Sequence, residues 1–499
     1  MSASTRERLR EVGLDEALLE LVLNEHRSGR VSSLRRLWTY YRNAACGSPA
    51  PASGDERTSG RLRLAQEAGL PKRLTGGRDA SRDDRVKPEV VIENDIAWRV
   101  HAMVDFMFGK PVRVLSNSEN GTVAAASSAL LDEVWERSGG IALLQDMALL
   151  GHVYGHVDLL VRADGEALAS LGGEFVDRVP DEGEARRLAK LFRIEVVEPT
   201  RGVPILSDAD WRVLDGYAVD YERGLNQVRS GGRWWKPGGE LVRARERYTE
   251  VFTPTHRVVM RGGEPRAVER LGWTGGEVPV AHIQNLSQPF RYEGLGEVEP
   301  LIPLQDELNT RLSDRASRVT MQSFRMYLAK GLEGFENAAV GPGRVWSTDN
   351  PEASIESFGG DGASPSEDAH VEQIREAMDK QSGVPPLASG VVRARIGNLS
   401  SANALRVTLM GVLSKTARKR VAYGRGMSRA SGLVLSALSN TGVWPLDEPD
   451  RGVRLEWPDP LPEDPVEMAR AARARTELGV SRERVLSELG YGPGDPGVG

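Results

Sequence analysis

Residues 381–420, QSGVPPLASGVVRARIGNLSSANALRVTLMGVLSKTARKR, decide how the rest of the chain is read. A segment ending at Ser382-Gly383 is stopped by Val384-Pro385-Pro386, because proline removes a backbone donor and restricts the residue before it. A glycine-rich, β-branched loop follows and carries Arg393 and Arg395. Asn398, Ser400 and Ser401 then offer side chains that can cap a new helix. In that helix Leu405, Leu409, Val412, Leu413 and Thr416 recur at three-to-four spacing, which predicts one apolar face. From Leu399 to Ala430 the stretch holds Arg406, Lys415, Arg418, Lys419, Arg420, Arg425 and Arg429 and no acid. A loop between two helices, followed by a wholly cationic helix, implies that a polyanion passes close.

Working outward, Pro303 predicts a helix start, since the first turn needs no donor. Leu304, Leu308, Leu312, Val319 and Phe324 form a stripe out to Leu328, a helix of about 35–40 Å. Its polar face alternates in sign through Asp306, Glu307, Arg311, Asp314, Arg315 and Arg318. Gly331–Ser366 is glycine-rich and β-like, with Ala338–Val340, Arg344–Trp346 and Ile355–Phe358 as strand candidates. Pro365–Gln381 reads as a helix with Val371, Ile374 and Met378 on one face.

Residues 5–42 predict two short helices, the first with Leu14, Leu18, Leu19 and Val22 on one face. Residues 44–85 are rich in Gly, Ser, Pro and charge and read as largely flexible. Residues 89–108 predict an amphipathic helix through Val91, Ile92, Ile96, Val100, Val104, Met107 and Phe108, ended by Gly109 and Pro111. Ala124–Arg137 and Ile141–Gly151 predict two more helices. From His152 the period becomes two: Tyr154–Arg162, Arg193–Val197, Ala218–Glu222, Glu246–Phe252 and Val258–Met260 read as strands. Residues 90–297 are therefore an α+β domain. His152 and His156 share a face of that strand reading, yet no third ligand stands near them and no metal site is expected. After Ala430 the helix continues through Leu438. Asp447–Glu467 then holds eight acids and two bases, which should lie against the preceding basic helix or an adjacent subunit.

The 499 residues allow two to four domains. A net charge of −6 confines any DNA contact to local surfaces. The lone Cys46 excludes an intrachain disulfide and fits a reducing compartment. No apolar run reaches the length of a membrane span, and no secretory signal opens the chain. P-loop, HExxH, GxSxG and strand-borne GxGxxG patterns are missing, so no enzyme activity and no cofactor are expected. Val466–Tyr491 has the turn of a helix-turn-helix at Gly479, but its flanks are acidic.

The order SGVP, glycine-rich loop, Ser401-Ala402-Asn403-Ala404-Leu405 and long basic helix resembles the tunnel loop and following helix of tailed-phage portal proteins. Asn94–Trp98 running into Val104–Val112 resembles the family's wing. Gly294–Asn309 resembles the run into its first stem helix. The resemblance covers residues from about 90 to 430 and implies an α+β portal architecture. Its parts would be N-terminal helices (1–43), a flexible linker (44–88), a wing (89–297) and a first stem helix (298–330). A β-rich clip (331–365), a second stem helix (366–383) and a tunnel loop (384–400) would follow. The long basic helix (401–445) and a helical C-terminal crown (446–499) would close the chain.

The same resemblance implies function. A homo-oligomeric ring, a dodecamer in the virion, would sit at one capsid vertex after assembly in the host cytoplasm. It would nucleate procapsids together with major capsid and scaffolding proteins and pass double-stranded DNA driven by the terminase large subunit. It would also dock head-tail adaptor or neck proteins. Val391, Val392, Arg393, Arg395, Ile396 and Asn398 would face DNA from the loop, and Arg406, Lys415, Arg418, Lys419 and Arg420 from the helix. Arg311, Asp314, Arg315 and Arg318 would join stem subunits, and Arg344, Trp346 and Phe358 would lie on the docking clip. The competing readings are a cytosolic DNA-binding regulator or scaffold with a C-terminal helix-turn-helix, and another neck component.

Overall fold

The computed structural model describes residues 13, 15–46, 63–75, 89–229, 240–323, 326–330, 351–352, 354–358, 365–390, 402–461, 465–482 and 485–486. In chain order the elements begin with α1 (Glu16–Glu25), a π-helical turn, and α2 (Val31–Arg42). Then come β1 (Ala45–Cys46), β2 (Arg63–Leu64), α3 (Lys72–Thr75), α4 (Asp95–Phe108), β3 (Arg113–Ser116), α5 (Gly121–Arg137) and α6 (Gly140–Tyr154). Next are β4 (His156–Ala163), α7 (Gly165–Ser170), α8 (Glu182–Leu188), β5 (Phe192–Val197), β6 (Gly202–Leu206), β7 (Leu214–Arg229) and β8 (Glu240–Phe252). β9 (His256–Arg261), β10 (Glu264–Arg270), β11 (Val280–Gln284), α9 (Ile302–Ser323), β12 (Met326–Lys330), β13 (Ser354–Phe358) and α10 (Pro365–Ser382) follow. The chain continues through α11 (Ala402–Thr408), α12 (Met410–Asn440), β14 (Val453–Glu456) and α13 (Pro465–Glu477).

Two compact units form. The larger comprises Met1–Trp38, Arg99–Val298 and Gly383–Gly499. Its sheets are antiparallel: β10-β9-β8-β7-β6, β11-β4-β5 and the pair β14-β3. β4 is central in its sheet, and Val157, Leu159, Leu160 and Val161 are all fully buried, as a strand covered on both faces requires. α12 packs on β11 and β4. The approach is close enough that a Cβ on Gly426 would stand 2.1 Å from Ile283. A second core gathers Leu19 and Leu23 of α1 against Val203, Ile205, Ala218, Val251, Val258 and Met260.

Several expectations change here. Leu18 is exposed, and the buried face of α1 is Leu19, Val22 and Leu23. α6 runs through His152 to Tyr154, so His152 is helical and shares no strand face with His156. The switch comes at Gly155, whose φ of +92° ends the helix and whose Cβ would lie 2.3 Å from Gly294 O. The basic helix is interrupted at Leu409 (φ −93°, ψ 7°) between α11 and α12. The C-terminal segment is not all helical, because β14 pairs with β3.

The second unit comprises Thr39–Trp98 and Glu299–Ser382. α9 spans 22 residues, about 33 Å, and ends at Ser323. Met326–Lys330 is a strand paired with Ser354–Phe358, so the expected helix out to Leu328 is too long, and Val319 is exposed. α10 packs along α9 with Val371, Ile374 and Met378 buried. The cross-pairs Glu307–His370, Arg315–Asp368 and Arg318–Glu367 descend along α10 as they ascend α9, which makes the two helices antiparallel.

The amphipathic helix expected over 89–108 begins only at Asp95. Residues 89–94 run extended along α9. The backbone N–H groups of Glu89, Val91, Glu93 and Asp95 donate to Ser317 Oγ, Ser313 Oγ, Asn309 Oδ1 and Gln305 Oε1 at 2.9–3.0 Å. Two residues of strand advance about 6.6 Å and four of helix about 6 Å, so every second amide meets every fourth side chain. Asn309 Nδ2 also donates to Gln66 Oε1 at 3.0 Å, and Gln66 is fully buried. Residues 63–75, read from sequence as part of a flexible linker, thus include β2, paired with β1, and an amide set into this ladder.

Candidate functional site

α12 has two chemically different sides. Lys415 and Lys419, four residues apart, point inward, and both ammonium groups donate to the carboxylate of Glu297 at 2.5 Å. Lys419 has no exposed side-chain surface, and Glu297 is 6% exposed. Burial pushes Glu297 up, but Lys419 and Lys415 outweigh it and hold its pKa at about 2. Burial brings Lys419 down to about 8 against the pull of Glu297. Beside them His152 is fully buried and stays neutral, lowered to about 3 by burial and by Lys419. Glu297 is delivered by the turn that follows Gly294, and its own N–H donates to His152 O at 2.7 Å. Tyr423 Oη donates to Asn285 Oδ1 at 3.1 Å and completes the buried polar floor.

The other cations of this stretch divide further. Arg406 pairs with Asp459 at 2.6 Å, the contact expected between the basic helix and the acidic segment after it. Arg420 donates to Pro458 O at 2.9 Å and lies over the Trp457 ring at 5.0 Å. Arg429 pairs with Glu277 at 2.8 Å. Arg418 and Arg425 are exposed and have no carboxylate partner among the described residues. With Val421 and Ala422 they line a groove of about 1040 Å³ whose opposite wall includes Val280, His282 and Gln284 of β11. The expectation that Arg406, Lys415, Arg418, Lys419 and Arg420 all face a polyanion is therefore corrected. Lys415 and Lys419 are neutralised inside, Arg406 and Arg420 are held by the chain itself, and Arg418 and Arg425 remain to meet an anion.

The loop base is also built. Arg99, 2% exposed, donates from Nη1 to Val384 O at 2.9 Å, and Gly383 (φ +66°) turns the chain out of α10. Val391, Val392, Arg393, Arg395, Ile396 and Asn398 lie outside the described residues, as do Arg344 and Trp346. Phe358 pairs through its backbone with Met326. The stem charges already have partners within the chain: Arg311 with Glu307 at 2.7 Å, Asp314 with Arg73 at 2.7 Å, Arg315 with Asp368 at 2.9 Å, and Arg318 with Glu367.

Sequence reasoning missed Glu297, although the turn that carries it had been singled out. The available signal was a lysine pair at i, i+4 on the same side as the buried Val412 and Thr416.

A family model described as phage portal protein, SPP1 Gp6-like, matches residues 81–490. Among curated proteins none matches. The fold is similar to a chain in the virion of a native gene transfer agent particle, at 13% identity and a TM-score of 0.45, covering 92% of this chain and 100% of that one. It is also similar to a chain in the neck of an empty particle of that kind, at 15% identity and a TM-score of 0.44, covering 80% and 91%.

Proposed function

We propose, from the premise that this chain belongs to the SPP1 Gp6-like family of phage portal proteins, that it forms the ring-shaped channel at one capsid vertex. Double-stranded DNA enters through this channel under the terminase and leaves through it at infection. The observation that carries the reading is the family match, which runs through the larger part of both compact units. The ring is a homo-oligomer, a dodecamer in the virion. It is assembled in the host cytoplasm with capsid and scaffolding proteins and later bound by adaptor or neck proteins. Its role is structural, not catalytic.

The chemistry of the described residues supports a sliding channel. A duplex must move without being held in register, so a lining cannot make many strong phosphate contacts. The chain carries a net charge of −6, and α12 spends Lys415 and Lys419 on Glu297. Arg418 and Arg425, exposed and without a carboxylate partner among the described residues, leave a sparse cationic face for transient contact. Arg393 and Arg395 of the tunnel loop act in the same way. Residues 331–365 serve as the docking clip and α9 with α10 as the stem, where Arg311, Asp314, Arg315 and Arg318 keep the partners they have within the chain and present those pairs to neighbouring copies.

The test is a particle carrying Arg418→Glu with Arg425→Glu. Rings should form as in the wild type while packaged DNA falls about tenfold, through lost phosphate contacts. Unchanged packaging would remove α12 from the DNA path.

A further inference from the structure

β11 is an edge strand of the sheet β11-β4-β5. Its register decides which of its backbone groups face the open side. Val161 N–H donates to Pro279 O and Asn285 N–H to Gly155 O, both at 2.9 Å. Ala281 and Ile283 stand between them, opposite Leu159 and Val157. An antiparallel ladder turns alternate residues toward a given neighbour, so residues 279, 281, 283 and 285 face β4. His282 and Gln284 turn their N–H and C=O groups away from it, and these groups have no backbone partner among the described residues.

That bare edge is one wall of the groove of about 1040 Å³ beside α12. A strand edge with free backbone groups is a template for one more strand. The lining includes exposed apolar side chains, Trp211, Val213, Leu295 and Val421. Among its charged groups Glu277 is held by Arg429 at 2.8 Å, Arg212 by Asp210 at 2.9 Å and His282 by Asp158 at 2.7 Å. Arg418 and Arg425 have no carboxylate partner among the described residues, so the groove carries uncompensated positive charge.

We infer that this groove takes an extended acidic peptide of a partner protein, added to β11 as a further strand. Its backbone bonds to His282 and Gln284, its acids meet Arg418 and Arg425, and its apolar residues, alternating with the acids, meet the exposed lining. Nucleic acid offers the arginines an anion but offers β11 no strand, so the edge is what selects a peptide. The inference goes beyond the portal reading and stands on the groove alone. A partner seated there also masks the two arginines that the portal reading gives to DNA.

Amide hydrogen exchange of the full chain tests it, with a peptide of alternating Asp and Val as the probe and one of alternating Lys and Val as the control. In the free protein the His282 and Gln284 amides should exchange faster than those of Ala281 and Ile283. The acidic peptide at millimolar concentration should slow those two amides by about tenfold or more, and the basic peptide should leave them unchanged. In a chain carrying Arg418→Glu with Arg425→Glu the preference should reverse. A short DNA duplex should displace the acidic peptide without itself slowing either amide. Four results would each overturn the inference and leave the portal reading standing: edge amides as protected in the free protein as their neighbours, no slowing by the acidic peptide, a preference that survives the charge reversal, or equal slowing by the duplex. The portal reading fails separately, on a chain that never forms rings.

Discussion

α12 and α9 are the two longest helices among the described residues, and both look highly charged in sequence. They spend that charge in opposite ways. α12 buries two lysines on one carboxylate and shows solvent a sparse arginine face. α9 buries neutral amides and hydroxyls, Gln305, Asn309 and Ser313, and keeps its charges outside in pairs made within the chain. In a buried ion pair the stakes lie in leaving one partner behind. In a neutral ladder each rung costs only its own unmet hydrogen bonds.

That contrast can be broken most sharply at Glu297. Glu297→Gln strands the buried Lys419, and chemical denaturation should show a loss of about 3–5 kcal/mol. Adding Lys419→Met should recover much of it. If the single variant were neutral, the buried anchor would not be what fixes α12. Next in size is Asn309→Ala, which leaves Glu93 N–H, Gln66 Oε1 and Gln305 Nε2 without this partner. A loss of about 2–4 kcal/mol is expected, and Ser317→Ala at the solvent end of the ladder should cost less than about 1 kcal/mol. Equal losses at the two rungs would mean that burial does not grade the ladder.

Acid offers a third approach. Burial keeps His152 at about 3 and His156 at about 4, below the ordinary 6.5. The unfolded chain then binds more protons than the folded one between 6.5 and those values, so stability falls as pH drops through that window. Between pH 6 and 5 the two imidazoles together should remove about 2 kcal/mol. Glu297 adds its own loss only lower, as pH falls from its unfolded value near 4.5 through about 2. A denaturation midpoint flat from pH 7 to 4.5 would contradict buried neutral imidazoles. The smallest effect belongs to the exposed pairs: Arg315→Ala should change stability by about 0–1 kcal/mol.

Periodicity placed α5, α6, α10, the apolar stripe of α12 and the strands β4, β5, β7, β8 and β9, because each buries an apolar face at a regular spacing. It failed where polar side chains replace that face. Gln305, Asn309, Ser313 and Ser317 recur every four residues as regularly as any leucine stripe, but a polar stripe reads as solvent-facing. Val91 and Ile92 in the extended segment they bind fit the period of the next helix, so periodicity alone places that segment in it. Lys419 looks available to a polyanion in sequence because its partner, Glu297, lies 122 residues away. The lysine spacing hints at an inward pair but leaves no local trace of its distant partner, whereas the family resemblance rests on residues around tight turns, such as Gly294 and Gly383, that remain legible in one sequence.

The proposed closure of these chains into a ring can be measured by mass photometry of the purified 499-residue chain, with negative-stain images alongside. A discrete species at a fixed multiple of the 54.5 kDa chain, seen as a closed ring with a central hole, is the predicted result. A single population at 54.5 kDa across all concentrations would contradict it.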